Sequence, residues 1–108
     1  MKNLLLSLML ISISSVSVAQ TGVASYYGPG FHGKTQANGK PYNQWGNSCA
    51  HRTLPLGTQI LVTNLENNRS INTTVTDRGP YVGGRILDMS IGLKEALGCR
   101  DLCRVSIK

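Results

Sequence analysis

Two aspartates in one short stretch are the residues of this sequence best suited to proton transfer. Residues 76–90 contain Asp77 and Asp88, two of the five acidic residues in the 108-residue chain. Each ends a short apolar run, and the loop between them is rich in glycine. Carboxylates at strand ends on either side of such a loop can exchange a proton with a neutral substrate. The alternative is a solvated turn in which Asp77 pairs with the adjacent Arg78 or caps the bend.

The first residues have the pattern of an export signal. Lys2 precedes an apolar stretch over residues 4–13, and small residues follow as far as Ala19. This pattern predicts a signal peptide over residues 1–19, cleaved before Gln20, and an exported protein that is periplasmic or secreted. The apolar stretch is too short to cross a bilayer comfortably, so we expect no stable membrane insertion once the signal is removed.

The remaining residues, 20–108, are enough for one small domain. Its formal charge is +5, which is the whole-chain value of +6 less the charge of Lys2. A basic domain favours an anionic partner such as a polymer or an envelope surface. The basic residues are scattered along the sequence, so nucleic acid is not an expected partner. We expect the domain to be a monomer.

Three cysteines and two histidines limit the covalent and metal chemistry. Cys49, Cys99 and Cys103 in an exported chain predict one disulfide and one remaining thiol, with three pairings open. The possible metal ligands are too few and too dispersed for a metal site. We therefore expect no metal and no cofactor.

Short strand-like runs and long loops predict a closed or nearly closed β-barrel. The strand-like runs cover residues 21–27, 58–64, 69–76, 85–89 and 102–107. A brief helix is expected between Ser90 and Gly98. Residues 31–48 form a long polar loop with interspersed rings, which favours a sugar-binding surface. Trp45 in this loop is equally well explained by covering the edge of the core.

Several segments, in the right order, resemble the RlpA-like family. They are residues 22–28 (GVASYYG), 31–39 (FHGKTQANG), 49–58 (CAHRTLPLGT), 62–65 (VTNL), 77–81 (DRGPY), 84–90 (GRILDMS) and 96–98 (ALG). The resemblance implies a mainly β fold, a six-stranded double-psi β-barrel with one or two short helices, shared with expansins and barwin-like proteins. It also implies lytic transglycosylase activity on peptidoglycan glycan strands, favouring strands stripped of peptides.

The implied reaction needs one carboxyl group, whereas most glycoside hydrolases use two. The acid protonates the glycosidic oxygen, and the 6-hydroxyl of the muramic sugar attacks the anomeric carbon to leave a 1,6-anhydro end. Of the three catalytic positions proposed for the family, two are matched here, by Asp77 and His51. The third is usually glutamate, and here it is Lys40. An ammonium beside Asp77 would weaken it as an acid, so a protein that binds glycan without cutting it is the alternative.

Eight further candidates are assigned to substrate binding. They are Tyr26, Tyr27, Phe31, Lys40, Arg78, Tyr81, Arg85 and Asp88. The rings would stack on sugars, and the arginines would bind anionic groups or brace loops. The other interpretations are that Asp88 anchors the start of the helix and that His51 is a satisfied, half-buried histidine.

The leading hypothesis is an exported lytic transglycosylase acting on peptidoglycan, with Asp77 as acid and base and His51 in support. The first alternative is a non-catalytic, expansin-like or barwin-like module that binds cell-wall glycan. The second is a small secreted effector that inhibits a partner enzyme.

Overall fold

The structure, a computed structural model, describes residues 19–108. The export signal predicted for residues 1–19 lies outside the described residues, apart from Ala19. Within the described range, none of the helical segments has the length and apolarity needed to span a membrane.

Six strands and one short helix build the described part of the chain. The strands are β1 (Gln20–Tyr26), β2 (Ser48–Ala50), β3 (Gln59–Asn64), β4 (Ser70–Asp77), β5 (Arg85–Met89) and β6 (Cys103–Ile107), and helix α1 (Ile91–Ala96) lies between β5 and β6. The strands close into a barrel in the order β1-β5-β2-β4-β3-β6. The mainly β, six-stranded barrel predicted from the sequence is confirmed.

Two of the strand pairings are parallel, and they bring the residues after β2 and β4 to one end of the barrel. β1 pairs with β5, and β2 pairs with β4, in the parallel sense. The other neighbours are antiparallel. Because β2 and β4 run in the same direction, the residues that follow both strands emerge at the same end of the barrel.

Aliphatic side chains fill the barrel interior. The large apolar residues that are fully buried are Val62, Val75, Leu87, Met89, Leu93, Leu97 and Val105. Complete burial of one such side chain contributes roughly 1.5–3 kcal/mol of transfer free energy. The closed wall and packed interior give the loops at the barrel end a rigid base.

Helix α1 begins and ends where the sequence predicts. The Ser90 hydroxyl accepts a hydrogen bond from the backbone N–H of Leu93, as an N-cap does. Gly98 follows the helix with a φ of 74°, a conformation that glycine adopts readily. Leu93 and Leu97 are buried, whereas Ala96 is exposed.

One of the three possible disulfides is formed, between Cys99 and Cys103, whose Cα atoms are 5.7 Å apart. The helix ends at Ala96, before Cys99, so the residues between the two bridged cysteines are not helical. Cys49 is a buried free thiol. Burial raises the pKa of this thiol to about 12, so it stays protonated and unreactive.

Candidate functional site

The strand register places the two aspartates in one row across the barrel wall. Asp77 on β4 lies opposite Ala50 on β2, and Ala50 lies opposite Asp88 on β5. Asp88 in turn lies opposite Ser25 on β1. Neighbouring strands are about 4.8 Å apart, so the two aspartate backbones are separated by roughly 10 Å. Both side chains face the same cleft.

This cleft, called the Asp77 cleft below, has a volume of about 420 Å³, which is in the size range of small-ligand sites. Seven of the predicted site residues line it: Tyr26, Tyr27, Phe31, Asp77, Arg78, Arg85 and Asp88. The lining thus combines aromatic rings with charged groups. Sugars are the ligands that such a surface suits, because rings stack on their C–H faces while charged groups bond their hydroxyls.

Three donors hold the Asp77 carboxylate. The Tyr27 hydroxyl donates to Oδ2 at 2.7 Å. The backbone N–H groups of Ala37 and Arg78 donate to Oδ1 at 2.8 and 2.9 Å. Each carboxylate oxygen has two lone-pair sites, so Oδ1 is fully used and Oδ2 keeps one site open. The open site on Oδ2 is where Asp77 can exchange a proton with a ligand.

Tyr27 belongs to an aromatic cluster that fixes its ring. The ring stacks on Tyr42 with centroids 4.4 Å apart, and Phe31 packs against it edge-on at 5.7 Å. Burial, together with the Asp77 carboxylate, raises the pKa of Tyr27 well above its ordinary value near 10. The hydroxyl therefore stays protonated and remains a donor to Asp77.

Asp88 is held from the opposite side of the row. Its Oδ1 accepts a hydrogen bond from the Ser25 hydroxyl. The start of helix α1 is capped by Ser90, so the contacts of Asp88 are not those of a helix anchor. Asp88 therefore supplies a second carboxylate to the Asp77 cleft.

The His51 imidazole does not enter the Asp77 cleft. It lines a separate depression, together with Gln20, Thr53 and Leu54. Its Nδ1 accepts hydrogen bonds from the backbone N–H groups of Thr53 and Leu54 at 3.2 and 3.1 Å. Since Nδ1 is an acceptor, the proton is on Nε2, which donates to Gln20 Oε1 at 3.2 Å. Both ring nitrogens are thus used within the protein.

His51 is linked to Asp77 through the backbone. Its N–H donates to the carbonyl of Asp77 at 3.2 Å, and its own carbonyl accepts from Nη1 of Arg78 at 3.1 Å. Burial, and then the positive charges of Arg52 and Arg78, lower the pKa of the imidazole. The neutral ring braces the turn over residues 51–54, and the backbone of His51 bonds to Asp77 and Arg78.

The arginines at this end of the barrel differ in their partners. Nη1 of Arg78 donates to the carbonyls of His51 and Leu54 at 3.1 and 2.7 Å, so this side chain braces loops although it lines the cleft. Nη1 of Arg52 donates to the carbonyl of Pro80 in the loop before β5 at 2.9 Å and to the carbonyl of Arg85 at the start of β5 at 2.8 Å. The Arg85 guanidinium lines the cleft and has no hydrogen-bond partner among residues 19–108.

Two other predicted site residues, Lys40 and Tyr81, lie outside the cleft lining. Lys40 is exposed at the end of a tight turn in which its carbonyl accepts from the N–H of Gln36 at 2.9 Å. In the described part of the chain, no ion pair joins Lys40 to Asp77. Tyr81 is 77% exposed.

Five lining residues were missed by the sequence analysis: Gly28, which closely follows β1, and Lys34, Thr35, Gln36 and Tyr42 of the long loop. The four loop residues enter the cleft because the long loop folds back on itself. Thr35 and Pro41 form an isolated antiparallel bridge, and Gly39 between them has a φ of 86°. The Asn-Gly pair at residues 38–39 is the sequence signal for such a reversal.

No group of three or more histidine, cysteine or acidic side chains with metal-site geometry is found within residues 19–108.

Comparison with known proteins gives a family match over the described residues. A family model described as "Lytic transglycolase" matches residues 19–108. A "Probable endolytic peptidoglycan transglycosylase RlpA" from Synechocystis is 53% identical over 77 residues, which are 71% of this chain and 24% of the relative. An "Endolytic peptidoglycan transglycosylase RlpA" from Campylobacter jejuni is 54% identical over 79 residues, 71% of this chain and 29% of the relative. The chain thus spans about a quarter of the length of these curated relatives.

Among solved structures, Streptomyces papain inhibitor has a similar fold, with a TM-score of 0.64. It is 21% identical, and the match covers 87% of this chain and 96% of the inhibitor. At this identity the likeness concerns the fold alone. Together with the family match, it confirms the predicted double-psi β-barrel.

Proposed function

Because this RlpA-like chain belongs to the lytic transglycolase family, we propose that its Asp77 cleft cuts peptidoglycan glycan strands by lytic transglycosylation. The observation that carries the proposal is the Asp77 carboxylate, held by three donors in a cleft lined with rings and charges. One side of Oδ2 stays open to a ligand. A single positioned acid is sufficient for a reaction in which the sugar supplies its own nucleophile.

The proposed first step transfers a proton from Oδ2 of Asp77 to the glycosidic oxygen that follows a muramic residue. The bond between this oxygen and the anomeric carbon breaks, and the leaving chain takes the proton. Tyr27 donates to the same oxygen of Asp77, so it stabilises the carboxylate that this step creates.

The second step closes a ring within the muramic residue. Its 6-hydroxyl oxygen attacks the anomeric carbon, and the hydroxyl proton returns to Oδ2 of Asp77. The product is a 1,6-anhydro end, no water is consumed, and Asp77 is protonated again for the next cycle. The same oxygen therefore serves as general acid and then as general base.

The other residues of the site bind or position. We assign sugar stacking to Tyr26 and Phe31 in the cleft lining, and hydrogen bonding of a sugar hydroxyl to Asp88. The catalytic role predicted for His51 stays a prediction, whereas its contacts support a positioning role through the backbone of Asp77.

We also propose that the chain acts outside the cytoplasm, since residues 1–19 have an export pattern and peptidoglycan lies there. Mass spectrometry of the protein recovered from the periplasm or medium should give a chain that begins at Gln20. An intact N-terminus in all of the recovered protein contradicts this assignment.

The enzymatic proposal is tested by incubating the purified exported protein with peptide-free glycan strands and analysing the products by mass spectrometry. The expected result is new 1,6-anhydromuramyl ends that increase with time. If a glutamate-bearing relative makes such ends under the same conditions and this protein makes none, the enzymatic proposal is wrong. Strand binding without cutting then favours the non-catalytic glycan-binding module, which the lysine at position 40 makes the principal alternative.

A further inference from the structure

Two cations in the Asp77 cleft, Lys34 and Arg85, make no side-chain hydrogen bond or ion pair within residues 19–108, and of the two Arg85 is the partly buried one. The backbone of Arg85 is fixed on both sides, because its N–H donates to the carbonyl of Val82 at 3.2 Å and its carbonyl accepts from Arg52 at 2.8 Å. The guanidinium makes no hydrogen bond or ion pair with any other part of residues 19–108. A guanidinium carries five N–H donors, so the partly buried side chain of Arg85 has its full donor capacity available to a ligand.

Arg85 differs from the cations around it either in its partners or in its burial. The guanidiniums of Arg52 and Arg78 donate to backbone carbonyls and hold loops in place. The Lys94 ammonium lies over the ring of Tyr26, 4.7 Å from its centroid. Lys34 also lines the cleft, but it is exposed to solvent, which weakens its interaction with a bound charge.

The position of Arg85 suits contact with a polymer. It lines both the Asp77 cleft and a second depression of about 390 Å³, and the two also share Tyr26 and Gly28, so they adjoin at its side chain. The carboxylates that line the two depressions are Asp77, Asp88 and Asp101, and none forms an ion pair with Arg85 within residues 19–108. A ligand anion in either depression therefore meets an available guanidinium.

Resting on the proposed function, we propose that Arg85 binds the lactyl carboxylate of a muramic residue and is the residue responsible for the preference for peptide-free strands that the family resemblance implies. In a bare strand the lactyl group ends in a carboxylate, which an arginine binds through two parallel charge-assisted hydrogen bonds. In a peptide-bearing strand the same group is an amide and carries no charge. The sugar hydroxyls and N-acetyl groups are neutral, so the lactyl group is the charge that distinguishes the two strands next to the sugar ring.

The test compares binding of two oligosaccharides that differ only at the lactyl group. One has free carboxylates, and the other has the carboxylates capped as methylamides. Dissociation constants are measured by calorimetry in an Asp77→Asn background, so that neither ligand is cut. The free-carboxylate oligomer should bind about tenfold more tightly, the scale of one charge-assisted hydrogen-bonded pair. The preference should shrink as salt is added.

Variants of Arg85 assign the preference to this side chain. Arg85→Gln should remove the preference by weakening the free-carboxylate oligomer alone, and Arg85→Lys should keep part of it. Arg104→Gln, which removes the same charge from an exposed position on β6 outside both depressions, should keep the preference of the parent protein. Because each ratio is measured within one protein, a partial loss of folded material does not affect it.

The outcomes separate this inference from the enzymatic proposal. A lactyl preference that depends on Arg85, in a protein that makes no anhydro ends, supports the inference and overturns the activity. Cutting with equal affinity for both oligomers, or no measurable affinity for either, overturns the inference. The inference is also overturned if peptide-bearing strands bind as tightly as bare strands and this binding depends on Arg85. The carboxylate that Arg85 binds is then one of the peptide's own.

Discussion

Asp77 and His51 lie side by side in the barrel, yet their side chains serve different depressions. The backbone N–H of His51 donates to the carbonyl of Asp77, so the two residues are neighbours at the same barrel end. The Asp77 carboxylate opens into the cleft with one oxygen site free, while both imidazole nitrogens of His51 are bonded within the protein.

The end of β2 explains this difference. Ala50, its last residue, lies in register with both Asp77 and Asp88. His51 follows β2, and its Nδ1 accepts from the backbone N–H groups of Thr53 and Leu54, so the ring lies in the depression beside Gln20. The motif that contains His51 therefore identifies a backbone neighbour of Asp77 whose side chain lies outside the Asp77 cleft.

The largest effect on the cutting rate is expected from substitution of Asp77. Asp77→Asn keeps the shape of the side chain but removes the exchangeable acid, so the rate of anhydro-end formation should fall by about 10²- to 10⁴-fold. The measurement is product formation from peptide-free strands, with folding checked by thermal unfolding. Glu66→Gln, in the exposed turn between β3 and β4, is the charge-matched control and should cut at the wild-type rate. Activity of Asp77→Asn within a few fold of wild type would assign the acid to another residue.

The next effect concerns the donor that positions the acid. Tyr27→Phe keeps the ring stacked on Tyr42 but removes the hydrogen bond to Oδ2 of Asp77. Loss of a hydrogen bond to a charged group should lower the cutting rate about tenfold. Tyr26→Phe removes a hydroxyl from the same cleft without changing a contact of Asp77, so it should lower the cutting rate by less than Tyr27→Phe does. Equal losses in the two variants would contradict the positioning role of Tyr27.

The effect at His51 should appear in stability more than in catalysis. Burial lowers the pKa of His51 in the folded protein below its ordinary value of about 6.5. Below about pH 6.5 the unfolded chain therefore binds a proton at His51 more readily than the folded chain does. Wild-type stability should therefore be lost as the pH falls from about 6.5 towards the lowered folded-state value. His51→Asn should flatten this part of the curve of unfolding free energy against pH, measured by urea denaturation.

The same His51→Asn variant distinguishes positioning from catalysis. A positioning role predicts that its cutting rate at pH 7.5, measured on the folded fraction, stays within about tenfold of wild type, because the imidazole does not enter the cleft. A loss as large as that of Asp77→Asn, without a change in the pH dependence of stability, would restore the catalytic role predicted from the family pattern.

The smallest effect is expected at Lys40. Its side chain is exposed and outside the cleft lining, so charge reversal by Lys40→Glu acts through screened solvent and should change the cutting rate by less than about threefold. The assay is the same, with wild type and variant compared at several salt concentrations. A large gain of activity in Lys40→Glu would show instead that the native chain is a glycan binder that lacks its acid.

Local pattern was enough to predict most of the strands. Residues 85–89 form β5 as predicted, and the expected strand at 102–107 is observed as Cys103–Ile107. Alternating apolar residues and flanking turn residues are properties of neighbouring positions, so they can be read without the fold. The same is true of the start of the helix at Ser90.

The contacts that make the site could not be predicted in this way, because they join distant parts of the chain. Tyr27 and Asp77 are 50 residues apart in sequence and meet only after the barrel closes. Tyr42, expected on the surface of the long loop, is buried against Tyr27 because the loop folds back. The position of His51 beside Asp77 depends on the pairing of β2 with β4, which no local pattern specifies.

The central claim is that the muramic 6-hydroxyl, and not water, attacks the anomeric carbon after Asp77 has protonated the leaving oxygen. Asp88 lies across the cleft, two strands away, where it could activate a water in an inverting hydrolase. The direct test is to run the reaction in water enriched in oxygen-18 and to analyse the new chain ends by mass spectrometry. Attack by the 6-hydroxyl should give anhydro ends that contain no oxygen-18. Labelled reducing ends as the main product would contradict it and would assign the second carboxylate to water activation.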